Sequence, residues 1–334
     1  VLARRWEEAA LVVTSYDLLR RDEDRYAEQP FYACILDEAQ AIKNHTTQKY
    51  KAVCQVRSQV RFALTGTPVE NRLGELWSIF SFLMPGYLPP YKNFCARFEK
   101  PIVQEEDANA VRRLNQLTGP FILRRMKADV LRELPPKTEN VHRIELDTEQ
   151  RKLYLAAVVD AREKLRAAKP EDKMAVFAVL MRLRQICCDP RLVADNWSGG
   201  SAKLDACMEL VTAAVEGGHR ILLFSQFTSM LDLLAQRLDE AGVSHFTLQG
   251  STPKPVRAEL VRRFNAGEAS VFLISLRAGG TGLNLTAADI VIHYDPWWNV
   301  AAQNQATDRA YRIGQKNPVQ VYKLIAQDLS LIHI

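Results

Sequence analysis

Two pairs of charged residues in this 334-residue chain have the types and spacing to act on a phosphate ester. Asp37-Glu38 follows directly on the apolar run Phe31-Tyr32-Ala33-Cys34-Ile35-Leu36. Neighbouring carboxylates at a strand end can divide the work: one holds Mg2+ through water while the next orients an attacking water. Arg309 and Arg312 stand three residues apart, and a helix would put both guanidinium groups on one face. Presented that way, they suit a phosphoryl group whose charge must be neutralised as it leaves. Each pair also has an ordinary reading. Acids open helices, where the dipole favours them, and most arginines are solvated.

Other polar runs share that ambiguity. Thr65-Gly66-Thr67-Pro68 follows the strand candidate 60–64 and either couples neighbouring sites or is a turn. Phe224-Ser225-Gln226-Phe227-Thr228-Ser229 ends a strand and opens a helix, where hydroxyls bind phosphate or serve as caps. Gly279-Gly280-Thr281-Gly282 lets backbone amides approach a phosphate, though it is no dinucleotide fingerprint. Trp297-Trp298 could stack on bases or pack in an interface. No G-x-S-x-G, H-E-x-x-H or cysteine–histidine arrangement occurs, which removes nucleophilic hydrolases and zinc enzymes. The six cysteines form no C-x-x-C and no metal spacing, so they read as reduced, with Cys34 and Cys207 buried.

The elements that must position these residues follow from apolar runs and breakers. Residues 11–16, 31–36 and 60–64 are strand candidates, with helical composition over 45–57, and strands separated by helices imply a parallel sheet with covered faces. Residues 73–83 read as helix, and 91–135 as irregular helical material ending at Pro135-Pro136. A strand near 138–146 precedes long helices over about 148–168 and 173–187. From 201 the alternation is regular: helices 203–216, 228–241 and 254–265, strands 220–224, 243–248, 271–275, 290–294 and 319–325. Glycines after the first two of those helices read as left-handed caps.

Net charge is +5, from 44 basic and 39 acidic residues, which permits a polyanionic partner without requiring one. No apolar stretch approaches the ~20 residues of a membrane span. The start, Val1-Leu2-Ala3-Arg4-Arg5, has neither signal peptide nor methionine, as expected of a piece of a longer chain.

Taken in order, DEAQ at 37–40, LTGTPVEN at 64–71, FSQFTSML at 224–231, RAGGTGLNLTAAD at 277–289 and QATDRAYRIGQ at 305–315 closely resemble the Swi/Snf-type DNA translocases. These are a branch of the superfamily-two helicase-like ATPases, and the resemblance spans about 10–326. It implies an α/β fold of two RecA-like parallel-sheet lobes with helical insertions. The first lobe would occupy 1–85, N-terminally truncated, a helical protrusion and linker 86–137, and the second lobe 138–334 with an insertion at about 148–200. It implies ATP between the lobes, with Asp37 coordinating Mg2+ through water and Glu38 activating water. Gln305, Asp308 and Gly282 would lie at the nucleotide with Arg309 and Arg312, the latter as arginine finger. Thr65, Gly66 and Thr67 would couple hydrolysis to DNA, while Thr228, Ser229, Arg277, Gly280 and Thr281 would contact DNA phosphates.

The resemblance further implies tracking along double-stranded DNA, with DNA-bound proteins such as polymerase as possible partners and no membrane. Short connections between the motifs are similar to those of compact bacterial members, hence a nucleoid-associated cytoplasmic protein, or a nuclear one in a eukaryote. The family's glycine-lysine-threonine phosphate loop is expected ahead of residue 1, so these residues alone should hydrolyse ATP poorly. Asn299-Val300 replaces the family's usual asparagine-proline, Tyr311 stands where histidine is common, and the resemblance lapses after Ala326. A catalytically silent nucleic-acid-binding scaffold is the alternative, and an RNA-directed helicase the third.

Overall fold

The described strands form two separate parallel sheets, one in each half of the chain. The computed structural model describes residues 9–66, 72–131, 133–167, 173–279, 282–327 and 329. The chain divides into two units, Val1–Arg125 and Met126–Ile334.

In the first unit β1 (Phe31–Leu36) pairs in parallel with β2 (Ser58–Ala63), Leu36 opposite Ala63. Parallel pairing needs a crossover. The turn Ala39–Ile42 and the helix Gln48–Gln55 supply it, packing Ala39, Ile42, Ala52 and Val53 against Leu36. The helix Leu73–Leu83 is apolar nearly all round because it serves two cores. Its Phe82 joins the crossover cluster, while Leu76 and Phe80 pack with Leu88, Phe94, Phe98 and Leu114 of the irregular helical segment. The described residues leave Tyr32 76% and Ile35 59% exposed, one on each face of β1, rather than covered as expected.

Residues 11–15 form no strand. Tyr16 instead opens the helix Tyr16–Arg21, whose boundary is set by Ser15: its side chain accepts from the Leu18 amide at 3.3 Å. Cys34 is only half-buried, at the margin of the crossover core, whereas Cys207 is fully buried as expected.

Among the described residues, the second unit holds six parallel strands: β3 (Lys137–Ile144), β4 (Ile221–Ser225), β5 (His245–Leu248), β6 (Val271–Ser275), β7 (Ile290–His293) and β8 (Val319–Ala326). Their order is β3-β8-β7-β4-β6-β5. Every residue of β4 and β6 is buried, as central strands covered on both faces require. Ile221 and Leu223 pack with the helices Ala202–Glu216 and Thr228–Glu240, while Leu222 and Phe224 pack with Phe264, Leu285 and Ala306. Gly218 and Gly242, just past those two helices, take φ of +77° and +68°, which their lack of Cβ allows. The helices Thr148–Ala167 and Lys173–Cys188 pack together through Tyr154, Leu183 and Ile186 beside Leu146 and Ala326. The α/β class with parallel sheets and helical insertions stands as expected. No helix of the described residues is long and apolar enough to cross a membrane.

Candidate active site

Asp37 and Glu38 are pushed out of the first sheet by its own hydrogen bonds. Leu64 donates its amide to the Leu36 carbonyl at 2.7 Å and accepts the Ala39 amide at 2.9 Å. The two residues between Leu36 and Ala39 therefore loop out opposite one residue, as in a bulge. Closing that loop sets Glu38 at φ 50°, ψ 51°, a left-handed conformation that costs a non-glycine residue about 1–3 kcal/mol. Ala39 and Ile42, both fully buried, hold the loop from below.

Both carboxylates are exposed at the strand end. Asp37 Oδ1 accepts the Glu38 amide at 3.0 Å, and Gln40 Nε2 donates to Glu38 Oε2 at 2.5 Å. Gln40 also accepts, at Oε1, the Thr65 hydroxyl at 2.8 Å, so one amide side chain links the two strand-end loops. Tyr16 donates its hydroxyl to the Asp37 carbonyl at 2.8 Å. Burial, aided by the Asp37 charge, pushes that phenol up to about 12, so it remains a donor. Asp37, Glu38, Ala63, Leu64, Thr65, Gly66 and Leu123 line a cleft of about 390 Å³. Its all-oxygen donor set fits Mg2+, which keeps most of its waters and needs one or two carboxylates. Thr67 lies outside the described residues.

In the second unit the arginines do not share a helix face. The helix Val300–Thr307, capped by Asn299 Oδ1 on the Ala301 amide at 2.9 Å, ends before either. Gln305 sits half-buried on it. Asp308–Gly314 then runs through successive turns because tertiary bonds compete with helix continuation. The Leu285 amide donates to the Arg309 carbonyl at 3.0 Å, and Gln315 Nε2 donates to the carbonyls of Ala288 and Ala310 at 2.7 and 3.1 Å. Arg309 is buried, while Arg312 is half-buried and donates Nη1 to the Leu283 carbonyl at 3.1 Å. Gly282, one residue before Leu283, takes φ +45°. Asp308 meets Lys127 Nζ at 2.5 Å. The Arg309 backbone and the Arg312 guanidinium are thus fixed by the loop after β6, through bonds that spacing alone does not show.

Thr228 and Ser229 stand exposed at the start of the helix Thr228–Glu240, which has no side-chain cap. Their hydroxyls and the first-turn amides are available to an anion. The preceding turn is held by buried Asp295, whose oxygens accept the Gln226 amide at 3.3 and 3.2 Å; burial raises that carboxyl. Arg277 lies on the short helix Leu276–Gly279 after β6, and Gly280 and Thr281 fall outside the described residues. Trp297 packs beneath Arg184, 5.2 Å from its guanidinium, whereas Trp298 is 73% exposed.

Three further residues touch the site without being marked as candidates by the sequence. Gln40 lies within DEAQ, and the only signal for it is that β1 and β2 bring it beside Thr65. Tyr16 and Lys127 carry none, since their partners lie 21 and 181 residues away.

A family model of the SNF2-related domain matches residues 3–192, and one of the helicase conserved C-terminal domain matches 202–314. The putative ATP-dependent helicase/translocase YwqA of Bacillus subtilis is 41% identical over 332 residues, 97% of this chain and 36% of that protein. An uncharacterized ATP-dependent helicase of Mycoplasma pneumoniae is 39% identical over 95% of this chain and 30% of its own length. The chain thus spans about a third of the length of these curated relatives. Among solved structures, the Sulfolobus solfataricus SWI2/SNF2 ATPase core in complex with dsDNA is similar at TM-score 0.51 and 36% identity, covering 93% of this chain and 67% of that one. The chain belongs to the SNF2-related family, with the SNF2-related domain followed by the helicase conserved C-terminal domain.

Proposed function

We propose that the protein hydrolyses ATP to move along duplex DNA, with the chemistry shared between Asp37-Glu38 of the first unit and Arg309-Arg312 of the second. The observation that carries the reading is the two-residue bulge after β1, which spends strain to present a carboxylate pair at a strand end. Relatives named as ATP-dependent helicases, and a similar core solved with dsDNA, support it.

In this account the Glu38 carboxylate orients a water for in-line attack and accepts its proton, while Gln40 keeps that carboxylate aimed. Asp37 would hold Mg2+ through water, and the ion supplies neutralisation of charge on the β- and γ-phosphates. Arg312 meets the charge on the departing phosphoryl group, with Arg309 behind it and Gln305, Asp308 and Gly282 lining the same side. Thr65, Gly66 and Thr67 pass the state of the nucleotide to the DNA-facing residues. Thr228, Ser229, Arg277, Gly280 and Thr281 grip backbone phosphates, which makes binding sequence-tolerant and salt-sensitive. DNA-bound proteins in the path would be displaced, and the protein would reside with the cell's DNA. We assign 1–85 and 138–334 to the two lobes and 86–137 to the protrusion and linker.

A phosphate-cradling Gly-Lys-Thr loop is part of this chemistry and is not among the 334 residues, so they alone should turn ATP over poorly. The test is ATP hydrolysis by the full-length protein with and without duplex DNA. Stimulation by DNA that vanishes in Glu38→Gln supports the reading; unstimulated turnover indifferent to Glu38 overturns it and favours the silent scaffold.

A further inference from the structure

Lys127 is the second residue of the second unit, yet its side chain reaches the turn that carries the arginines. Its Nζ meets Asp308 Oδ1 at 2.5 Å and donates to the Tyr311 carbonyl at 3.2 Å. It also lies 5.9 Å from the centre of the Tyr311 ring, and Lys137 Nζ lies 5.8 Å from the same ring. One ammonium therefore grips both ends of the four residues Asp308–Tyr311, with Arg309 inside the grip and Arg312 next to it. The opposite side of that turn is tied to the loop after β6, through Leu283, Leu285 and Ala288.

We propose that Lys127 is a positioning residue for the arginine turn: it makes the segment entering the second unit and the turn bearing Arg309 and Arg312 one mechanical piece. The proposal rests on the hydrolytic reading above. Lys127 and Asp308 are each 42% exposed, and an ion pair that open adds little to folding stability. Its consequence is geometric. An arginine that must reach a phosphoryl oxygen loses much of its effect when displaced by about 1 Å. Because Lys127 directly follows Met126, movement of the entering segment is felt at Asp308 and Tyr311 through this ammonium and not only through the sheet.

The experiment compares the full-length parent, Lys127→Ala, Lys127→Arg and Arg312→Ala by DNA-stimulated kcat, KM for ATP and thermal midpoint. We expect Lys127→Ala to lower kcat about tenfold or more, with KM for ATP and the midpoint nearly unchanged. Lys127→Arg keeps the charge and reach and should retain most of kcat. An unaltered kcat in Lys127→Ala overturns the proposal. So does a Lys127→Arg variant as impaired as the alanine variant, or a loss that tracks a lowered midpoint or a raised KM. Arg312→Ala separates the two levels. If it loses activity while Lys127→Ala does not, only the positioning role falls; if it is itself silent, the hydrolytic reading falls and Lys127 has no arginine to place.

Discussion

Thr65 and Gln40 are joined across the ends of β1 and β2 by a 2.8 Å hydrogen bond from hydroxyl to amide oxygen. The same amide donates to Glu38 Oε2, so any shift of the Thr65 loop is felt at the Glu38 carboxylate. Thr65→Val removes the donor while keeping the shape. It should lower DNA-stimulated kcat about two- to tenfold, the value of one hydrogen bond, with KM for ATP little changed. Steady-state kinetics check this, and Gln40→Ala should give a loss at least as large.

The bulge at Glu38 predicts an inverted stability order. A left-handed backbone suits glycine and penalises alanine by about 1–2 kcal/mol, offset in part by the greater freedom of unfolded glycine. Glu38→Gly should therefore be about 0.5–1 kcal/mol more stable than Glu38→Ala in urea unfolding, although neither hydrolyses ATP. Alanine proving the more stable would deny the left-handed conformation.

Half-buried Arg312 donates Nη1 to the Leu283 carbonyl at 3.1 Å, a single neutral acceptor that a phosphoryl oxygen would outcompete. Arg312→Ala should reduce kcat on the order of 10³-fold, and Arg312→Lys should restore little because a lysine lacks the planar fork. A loss below about tenfold takes Arg312 out of the finger role.

Stability should fall on acidification in two separate windows. Burial first, then the Lys323 charge, lowers His293 from 6.5 to about 4. A depressed histidine is neutral when folded, so the unfolded chain binds the extra proton. The destabilisation therefore grows as pH falls from 6.5 to 4, reaching about 3 kcal/mol at pH 4. Glu139, lowered from 4.5 to about 2 by hydrogen bonds from Lys137 and Lys323, loses its stabilising contribution only below 4.5. Urea unfolding of His293→Gln at pH 7, 5.5, 4 and 3 should lack the slope between 7 and 5.5 and keep the loss between 4 and 3.

The sheets were legible because their physics is local. Val271-Phe272-Leu273-Ile274 has one interpretation once glycines and helices flank it, and it is fully buried in β6. The carboxylate pair was legible for the same reason, as polar residues ending an apolar strand. The bulge that presents them was not, because it depends on how Leu64 bonds across the sheet. Arg309 and Arg312 show the limit most plainly. Their spacing suits a helix, yet bonds between Arg309 and Leu285 and between Arg312 and Leu283 compete with the helical ones, and no periodicity encodes a partner as far along the chain as the 29 residues from Arg312 to Leu283. The run 11–16 failed differently: its apolar residues suggested a strand, and a single serine cap turned Tyr16 into the start of a helix, where its hydroxyl reaches Asp37.

The central claim, that Glu38 and Arg312 act on one nucleotide, is tested most directly by the affinity of the full-length protein for ADP with aluminium fluoride, a mimic of the departing phosphoryl group. The account predicts that Glu38→Gln and Arg312→Ala each weaken this mimic at least about tenfold while binding of ADP alone changes little. Equal affinity for the mimic in the parent and in Arg312→Ala would contradict it.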